Sequence, residues 1–427
     1  MTAEATWYGQ PRGLTVLFLT NMWEQFSYYG MRALLVYYMT KQLLFGQAHA
    51  SLIYGTYTAV AYFTPIFGGL IADRYLGKRR AIVIGGSVMA AGHFMMAFEF
   101  LFFPALATIA LGNGLFLPSL PSQIDDLYEP GDPRIGWAFN VYYVGVNLGG
   151  FLAPLVCGVL GETLGWDWGF GAAGVGMCVG LAVYLWGQRY LPAQARHPRV
   201  ETGPAPRGRF DARTVALLVA IALAVTVFRG AYEQIGNTVA LWADTGVDKQ
   251  VGGRTIPMSW FISLNPLFVM VMTPPLLAWW RRRAAAGRHE APARRMATGA
   301  WIVGAAFLLL AVLAWRNGGG LTEWPWFASF FAVLTLGELF ILPTGLGLFA
   351  RLAPAGLGAT TVAAWFLASF AGSLLGGVVG TLWTAMSHAA FFAVLALFAA
   401  AAAAALRACD ALEQQVQRAK DGNAVVA

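Results

Sequence analysis

LPAQARHPRVETGPAPRGRFDAR (191–213) is a long polar break in an otherwise apolar chain. Its prolines, glycines and arginines read as a linker on one side of a membrane. Apolar blocks lie on both sides of it, at 14–40, 51–73, 81–103, 105–128, 135–160 and 168–190, then at 213–243, 256–280, 296–315, 324–350, 357–385 and 388–407. Each is long enough to cross ~30 Å of hydrocarbon. The pattern predicts an all-α membrane protein: twelve transmembrane helices in two six-helix halves, 1–190 and 213–427, joined by a linker over 191–212. A membrane barrel would alternate polar and apolar residues, and these blocks do not.

Composition narrows the function. Of 427 residues, 58% are hydrophobic and 11% charged, where a soluble domain carries roughly 25% charged residues. Cys157, Cys178 and Cys409 form neither a disulfide framework nor a metal spacing and read as packing residues. The five histidines show no HExxH, and no GxSxG or Walker loop occurs, so the chain reads as a non-enzyme with no metal and no bound cofactor. The polar start, 1–13, runs into a spanning block with no cleavage site, so no removable signal peptide is expected.

The basic residues orient the helices. Of 28 lysines and arginines, 22 fall on one side. Lys41, Lys249, Arg254 and Arg316 fall on the other, while Arg32 and Arg229 lie inside spans. The positive-inside rule makes the rich side cytoplasmic, with both termini there. The net charge of +7 then reflects the lipid bilayer as partner, with no need for nucleic acid. Abundant Ala, Gly and Arg fits a bacterial inner membrane. His93 and Glu99 read as interfacial, and Asp125 and Asp126 as partners of Arg134 or of the basic loop at 74–80.

The motifs carry a resemblance. A basic loop follows the second helix of each half, GLIADRYLGKRR (69–80) and WWRRRAAAGRHEAPARR (279–295). This arrangement resembles the major facilitator superfamily, which places a substrate cavity between its halves. Within the first loop the resemblance makes Asp73 and Arg74 a latch between helix ends. NMWEQFSYYGMRALL (21–35), GNGLFLPSLPSQIDDLY (112–128) and FNVYYVGVNLGGFLAP (139–154) are similar to signature stretches of the proton-dependent oligopeptide transporters. So are VFRGAYEQIGNTVALWAD (227–244), SWFISLNPLF (259–268) and GELFILPTGLGLFARLAP (337–354).

That resemblance implies a secondary active transporter of di- and tripeptides or peptide-like substrates, with the proton as coupling ion and a monomer as working unit. Arg32 would meet the peptide carboxylate, for which a guanidinium offers a two-pronged donor. Glu338 would meet the terminal ammonium, with Asn147 and Asn265 flanking the substrate, Tyr29 and Tyr62 touching its backbone, and Trp365 and Phe366 forming a side-chain pocket. Without the resemblance, Tyr62, Trp365 and Phe366 read as packing residues, and the two asparagines as cross-links between helices.

The departures fall in the coupling machinery. The family's first helix reads ExxER; here the first Glu is Asn21 and the Arg is Gln25, and the fourth-helix Lys is Leu117. Glu24 and the seventh-helix Glu233 remain, and Arg229 stands one turn before Glu233 where relatives often carry Trp. An ionised carboxylate inside a span costs at least ~2.5 kcal/mol, so each must pair, face water or take a proton. Arg229 is therefore expected to partner Glu233 or Glu338 and to share in substrate binding with Glu233, and Glu24, Glu233 and Glu338 are the candidate proton carriers. Glu24, without its Arg neighbour, is expected to favour its neutral form. Two other readings stay open: an uncoupled facilitator or carrier of another small solute on the same scaffold, and a sensor that binds without transport.

Overall fold

The computed structural model describes residues 6–7, 9–129, 132–192, 211–288, 290–354 and 357–426. Most of the linker expected at 191–212 lies outside the described residues. Twelve long helices follow one another: α1 (Arg12–Tyr37), α2 (Gln47–Ile71), α3 (Lys78–Met95), α4 (Phe102–Ser119), α5 (Ile135–Ala153), α6 (Trp166–Gly187), α7 (Ala212–Tyr232), α8 (Leu264–Ala285), α9 (Pro292–Arg316), α10 (Trp324–Leu352), α11 (Gly358–Gly380) and α12 (His388–Val426). This is the twelve-helix membrane fold that the apolar blocks predict. Among the described residues, nine of the helical spans are long and apolar enough to cross a membrane on length and composition alone. The other three are α1, α2 and α3; in α1 the apolar run is interrupted by Asn21, Glu24, Gln25, Ser27 and Arg32, the residues on which the site depends.

Several helices change pitch without breaking. α1 runs into a π-helical turn at Tyr38–Gln42, α2 into another at Ala72–Leu76, and α5 into a third at Pro154–Gly158 before continuing as Val159–Thr163. α7 does break. It passes into a 3-10 turn at Glu233–Gly236, and a short helix, Thr238–Thr245, resumes beyond Asn237. α8 is entered through a 3-10 turn at Met258–Ser263.

The helices cluster into two compact units that do not follow the halves of the sequence. The first comprises Met1–Phe45, Val60–Glu201 and Val251–Leu267, and the second Gly46–Ala59, Thr202–Gln250 and Phe268–Ala427. The start of α2 thus belongs with α7 and α11, and the entry to α8 belongs with α5.

The first unit is cored at its basic-loop end by Leu14, Leu17, Ile82, Met89, Phe116, Ile124, Met177 and Tyr184. Here Lys78 donates to both carboxylate oxygens of Asp126 (2.8 and 2.9 Å) and to the Ser122 carbonyl, pinning the start of α3 to the turn after α4. Arg79 caps the end of α6 through the carbonyls of Leu191 and Pro192. At the opposite end, the Glu162 carboxylate accepts from the backbone N–H of Met258 and Ser259 and from the Ser259 hydroxyl (3.1, 3.0 and 2.6 Å), so a side chain from the end of α5 caps the entry to α8.

In the second unit, the start of α2 lies backbone to backbone against α11, because a Cβ at Gly55 would collide with Gly377. Gln47 donates to Ser51 and to the Gly380 carbonyl, and Ser51 donates to Asn237. α12 continues past the expected end at 407. Asp410 pairs with Arg294 and Arg407, and Glu413 accepts from the N–H of Ala293 at the start of α9, so the helix keeps polar partners after its apolar run stops.

Candidate functional site

Each unit presents its own set of charged and polar groups. In the first, Asn21, Glu24, Gln25, Tyr29 and Arg32 share one face of α1, as their three- and four-residue spacings require. Glu24 and Asn21 are almost fully buried, at 1% exposure each, whereas Tyr29 and Arg32 are half-buried. Gln25 donates from its amide to the Glu24 carboxylate at 2.6 Å. Among the described residues this neutral amide is the hydrogen-bond partner of Glu24, and no cation forms an ion pair with it.

The α5 motif around Asn147 explains how this face is held. A Cβ at Gly149 would collide with the Met22 carbonyl oxygen and stand 2.9 Å from Cβ of Gln25, so only glycine lets α5 lie this close to α1. Asn21 donates to the Tyr142 carbonyl at 3.1 Å and ties the two helices a turn away. Asn147 is buried, and its amide donates to the carbonyl of Tyr143 one turn earlier on the same helix. Asn265 is half-buried in the first turn of α8, and Tyr62 is half-buried on α2. Beside Tyr62, two cross-links fix α2 to α4: Asn113 donates to the Ala61 carbonyl and Thr64 to that of Ala110.

In the second unit, Arg229 and Glu233 form an ion pair four residues apart at the break in α7, with side chains 5% and 2% exposed. This is the first of the two pairings expected for Arg229. The pair is enclosed by α11: Cβ atoms at Gly372 and Gly376 would stand 2.5 Å from Cβ of Arg229 and 2.9 Å from Cβ of Glu233. The Ser373 hydroxyl, between those glycines, donates to the Glu233 carboxylate at 3.3 Å. A buried ion pair needs such extra donors to offset the loss of water. The turn after Glu233 extends the network. Gln234 donates to the carbonyls of Gly230 and Gly376 and accepts from Thr238 and Asn237, and Asn237 accepts in turn from Ser51.

Glu338 is buried on α10, at 8% exposure, two positions before Phe340. Trp365 is also buried, at 6%, its indole packed edge-on against Phe349 at 5.5 Å, whereas Phe366 is half-buried. The Trp365 ring is thus held as a wedge between α10 and α11.

These placements correct one sequence expectation and bear on two others. Asp73 and Arg74 are both exposed; Arg74 lies over the ring of its neighbour Tyr75, and Asp73 has no ion pair among the described residues. The loop is tied to the end of α4 by Lys78 with Asp126 instead, because the π-helical turn at Ala72–Leu76 carries Asp73 to the surface and brings Lys78 to the end of α4. Of the two partners expected for Asp125 and Asp126, the basic loop supplies one, Lys78 with Asp126, whereas Arg134 pairs with Asp132, two residues away. Hydrogen bonds from Arg134 hold the Asp132 carboxyl below the usual carboxylate range. His93, expected near the outer end of its helix, is fully buried two residues before α3 ends at Met95.

Sequence reasoning passed over Ser51, Gln234, Asn237 and Ser373, which form the polar surroundings of the Arg229–Glu233 pair, and Glu162, which caps α8. Polar residues in spans were the available signal. Their partners come from distant helices and carry no spacing of their own.

A twelve-helix bundle with glycine-lined helix contacts and an ion pair buried at the break in a spanning helix is a membrane transporter fold of the major facilitator type. The family model described as the POT family matches residues 79–202 and 209–406, and the chain belongs to that family. It is 30% identical to an uncharacterized transporter, YclF, of Bacillus subtilis (strain 168), over 91% of this chain and 92% of that one. It is also 30% identical to a di-/tripeptide transporter of Lactococcus lactis subsp. cremoris, over 92% and 93% of the two chains. A crystal structure of a peptide transporter POT in complex with sulfate superposes with a TM-score of 0.88 at 30% identity, covering 96% of this chain and 97% of that one.

Proposed function

We propose that this protein transports di- and tripeptides or close analogues across a bacterial inner membrane, as a monomer with both termini cytoplasmic, by alternating access. Family membership supports the substrate class. The observation that carries the mechanism is the buried Arg229–Glu233 pair, which keeps ionised groups inside the membrane domain after three of the family's coupling residues have been replaced.

In this reading Arg32 takes the peptide carboxylate and Glu338 the ammonium, with Tyr29, Tyr62, Asn147 and Asn265 contacting the backbone and Phe366, with Trp365 behind it, facing the side chain. Leu117 leaves the carboxylate end with fewer cations than relatives have, and Arg229 supplies the missing charge when its pair with Glu233 opens. Proton uptake on Glu233 is what opens the pair: a neutral carboxyl no longer holds the guanidinium, which is then released toward a carboxylate ligand. Glu24 and Glu338 complete the set of proton carriers. Closure and opening follow from the different affinities of substrate and proton for the two facing states.

A counterflow measurement tests the transport step. Liposomes holding the purified protein and loaded with unlabelled dialanine should transiently concentrate labelled dialanine from outside. No exchange with this or other small peptides would move the assignment to a different solute. One observation favours a second reading, an uncoupled facilitator: the hydrogen-bond partner of Glu24 is an amide, so the first-helix carboxylate has lost the cation whose release would signal protonation.

A further inference from the structure

The loop between α8 and α9 and the helix ends around it carry Arg281, Arg282, Arg283, Arg288, Arg294 and Arg295. Arg294 is used within the fold by Asp410. Among the described residues none of the other five has a carboxylate partner. Two of them lie over tryptophan rings: Arg283 is 4.8 Å from the centre of Trp279, and Arg295 is 4.6 Å from that of Trp280. Tryptophan and arginine side by side at a helix end mark the boundary between hydrocarbon and headgroups. Trp280 also makes an edge contact with Phe340 at 5.2 Å.

A second observation is independent of the charge. The indole N–H of Trp280 and the Nε–H of Arg295 are both shielded from solvent and have no acceptor among the described residues. Both donors belong to side chains that already stack together, and both call for an acceptor from outside the described protein. The helix N-terminus nearby does not compete for it, because the N–H of Ala293 is already taken by Glu413.

We propose that Trp280 and Arg295, backed by Arg283, bind the phosphate of an anionic phospholipid in the leaflet at this end of the bundle, the cytoplasmic leaflet by the distribution of basic residues. The indole N–H and the guanidinium donate to the phosphate oxygens, and the acyl chains lie along the exposed faces of Trp279 and Val271 on α8. Uncompensated arginines at a cytoplasmic helix boundary attract such headgroups by charge. The two shielded donors add a defined point of attachment that diffuse attraction lacks.

The test is native mass spectrometry of the purified full chain titrated with phosphatidylglycerol or phosphatidylcholine of matched chains, with free glycerol phosphate as a third probe. Phosphatidylglycerol should be retained in preference to phosphatidylcholine. Trp280→Phe, which keeps the ring and removes the donor, and Arg295→Gln should each reduce that preference, by about fivefold for the arginine. Arg288→Gln, an equal loss of charge elsewhere in the loop, should leave it within about twofold. Equal retention of the two lipids, or an equal effect of Arg288→Gln and Arg295→Gln, would overturn a defined site in favour of diffuse attraction. Binding of free glycerol phosphate as tight as that of the lipid would overturn the lipid assignment. A variant that does not elute as a single species is replaced by Arg295→Lys, which keeps the charge and loses the Nε–H, and must still weaken retention.

Discussion

Arg229 and Glu233 stand one helical turn apart at the end of α7, ion-paired and buried, with the Ser373 hydroxyl on the same carboxylate. Removing one member of such a pair leaves a buried charge alone, at a cost of about 3–5 kcal/mol. Arg229→Gln should therefore lower the unfolding temperature in detergent markedly. The double variant Arg229→Gln with Glu233→Gln should recover most of the loss, since no lone charge remains. A double variant as unstable as the single one would show that Arg229 acts through other contacts.

The proposed substrate clamp makes a paired prediction. Hydrogen bonds to charged groups are worth about 1.5–3 kcal/mol, so Arg32→Ala and Glu338→Gln should each weaken binding of an unmodified dipeptide by about 10- to 100-fold. An N-acetylated dipeptide should be indifferent to Glu338→Gln, and an amidated one to Arg32→Ala. Affinities measured by calorimetry that move together for both blocked peptides would sink the two-ended arrangement.

Reversal of the departures offers another check. Arg229→Trp combined with Leu117→Lys places at both positions the residues that the motif resemblance gives to relatives, and should fold and bind peptide more tightly than the native protein. Arg229→Trp alone should impair transport. If the single change leaves uptake and stability untouched, Arg229 is not part of the network.

Much of the fold was legible in the sequence, because twenty-residue apolar blocks and arginine-rich loops are large signals. What escaped were features made of apolar or shared residues. α3 was expected to run over 81–103, but Phe98 is extended and Glu99–Leu101 form a 3-10 turn. Methionines and phenylalanines surround that turn, so hydropathy has nothing to register. The break in α7 lies within a continuous helical pattern, and it decides where Glu233, Gln234 and Asn237 point. The Arg229–Glu233 pair could be foreseen because spacing alone places residues four apart together. The exchange of segments between the compact units could not, since it depends on glycine contacts such as Gly55 with Gly377 between helices over 300 residues apart in the chain.

That contact is itself testable. Gly55→Val would push α2 from α11 where the backbones touch, and overpacking of this kind costs about 1–3 kcal/mol. The variant should melt earlier and transport more slowly. Gly46→Val, at the end of the same segment where a Cβ meets nothing within 4 Å, should leave both within error. Equal effects of the two would mean that the close contact has no special role.

In the proposed mechanism the remaining buried carboxylates still couple peptide movement to the proton. Uptake of labelled dialanine into proteoliposomes, with and without an inward proton gradient, measures it most directly. Accumulation above equilibrium is expected only with the gradient, and should be lost in Glu233→Gln while exchange persists. Equilibration at the same rate and to the same level with or without the gradient would contradict it.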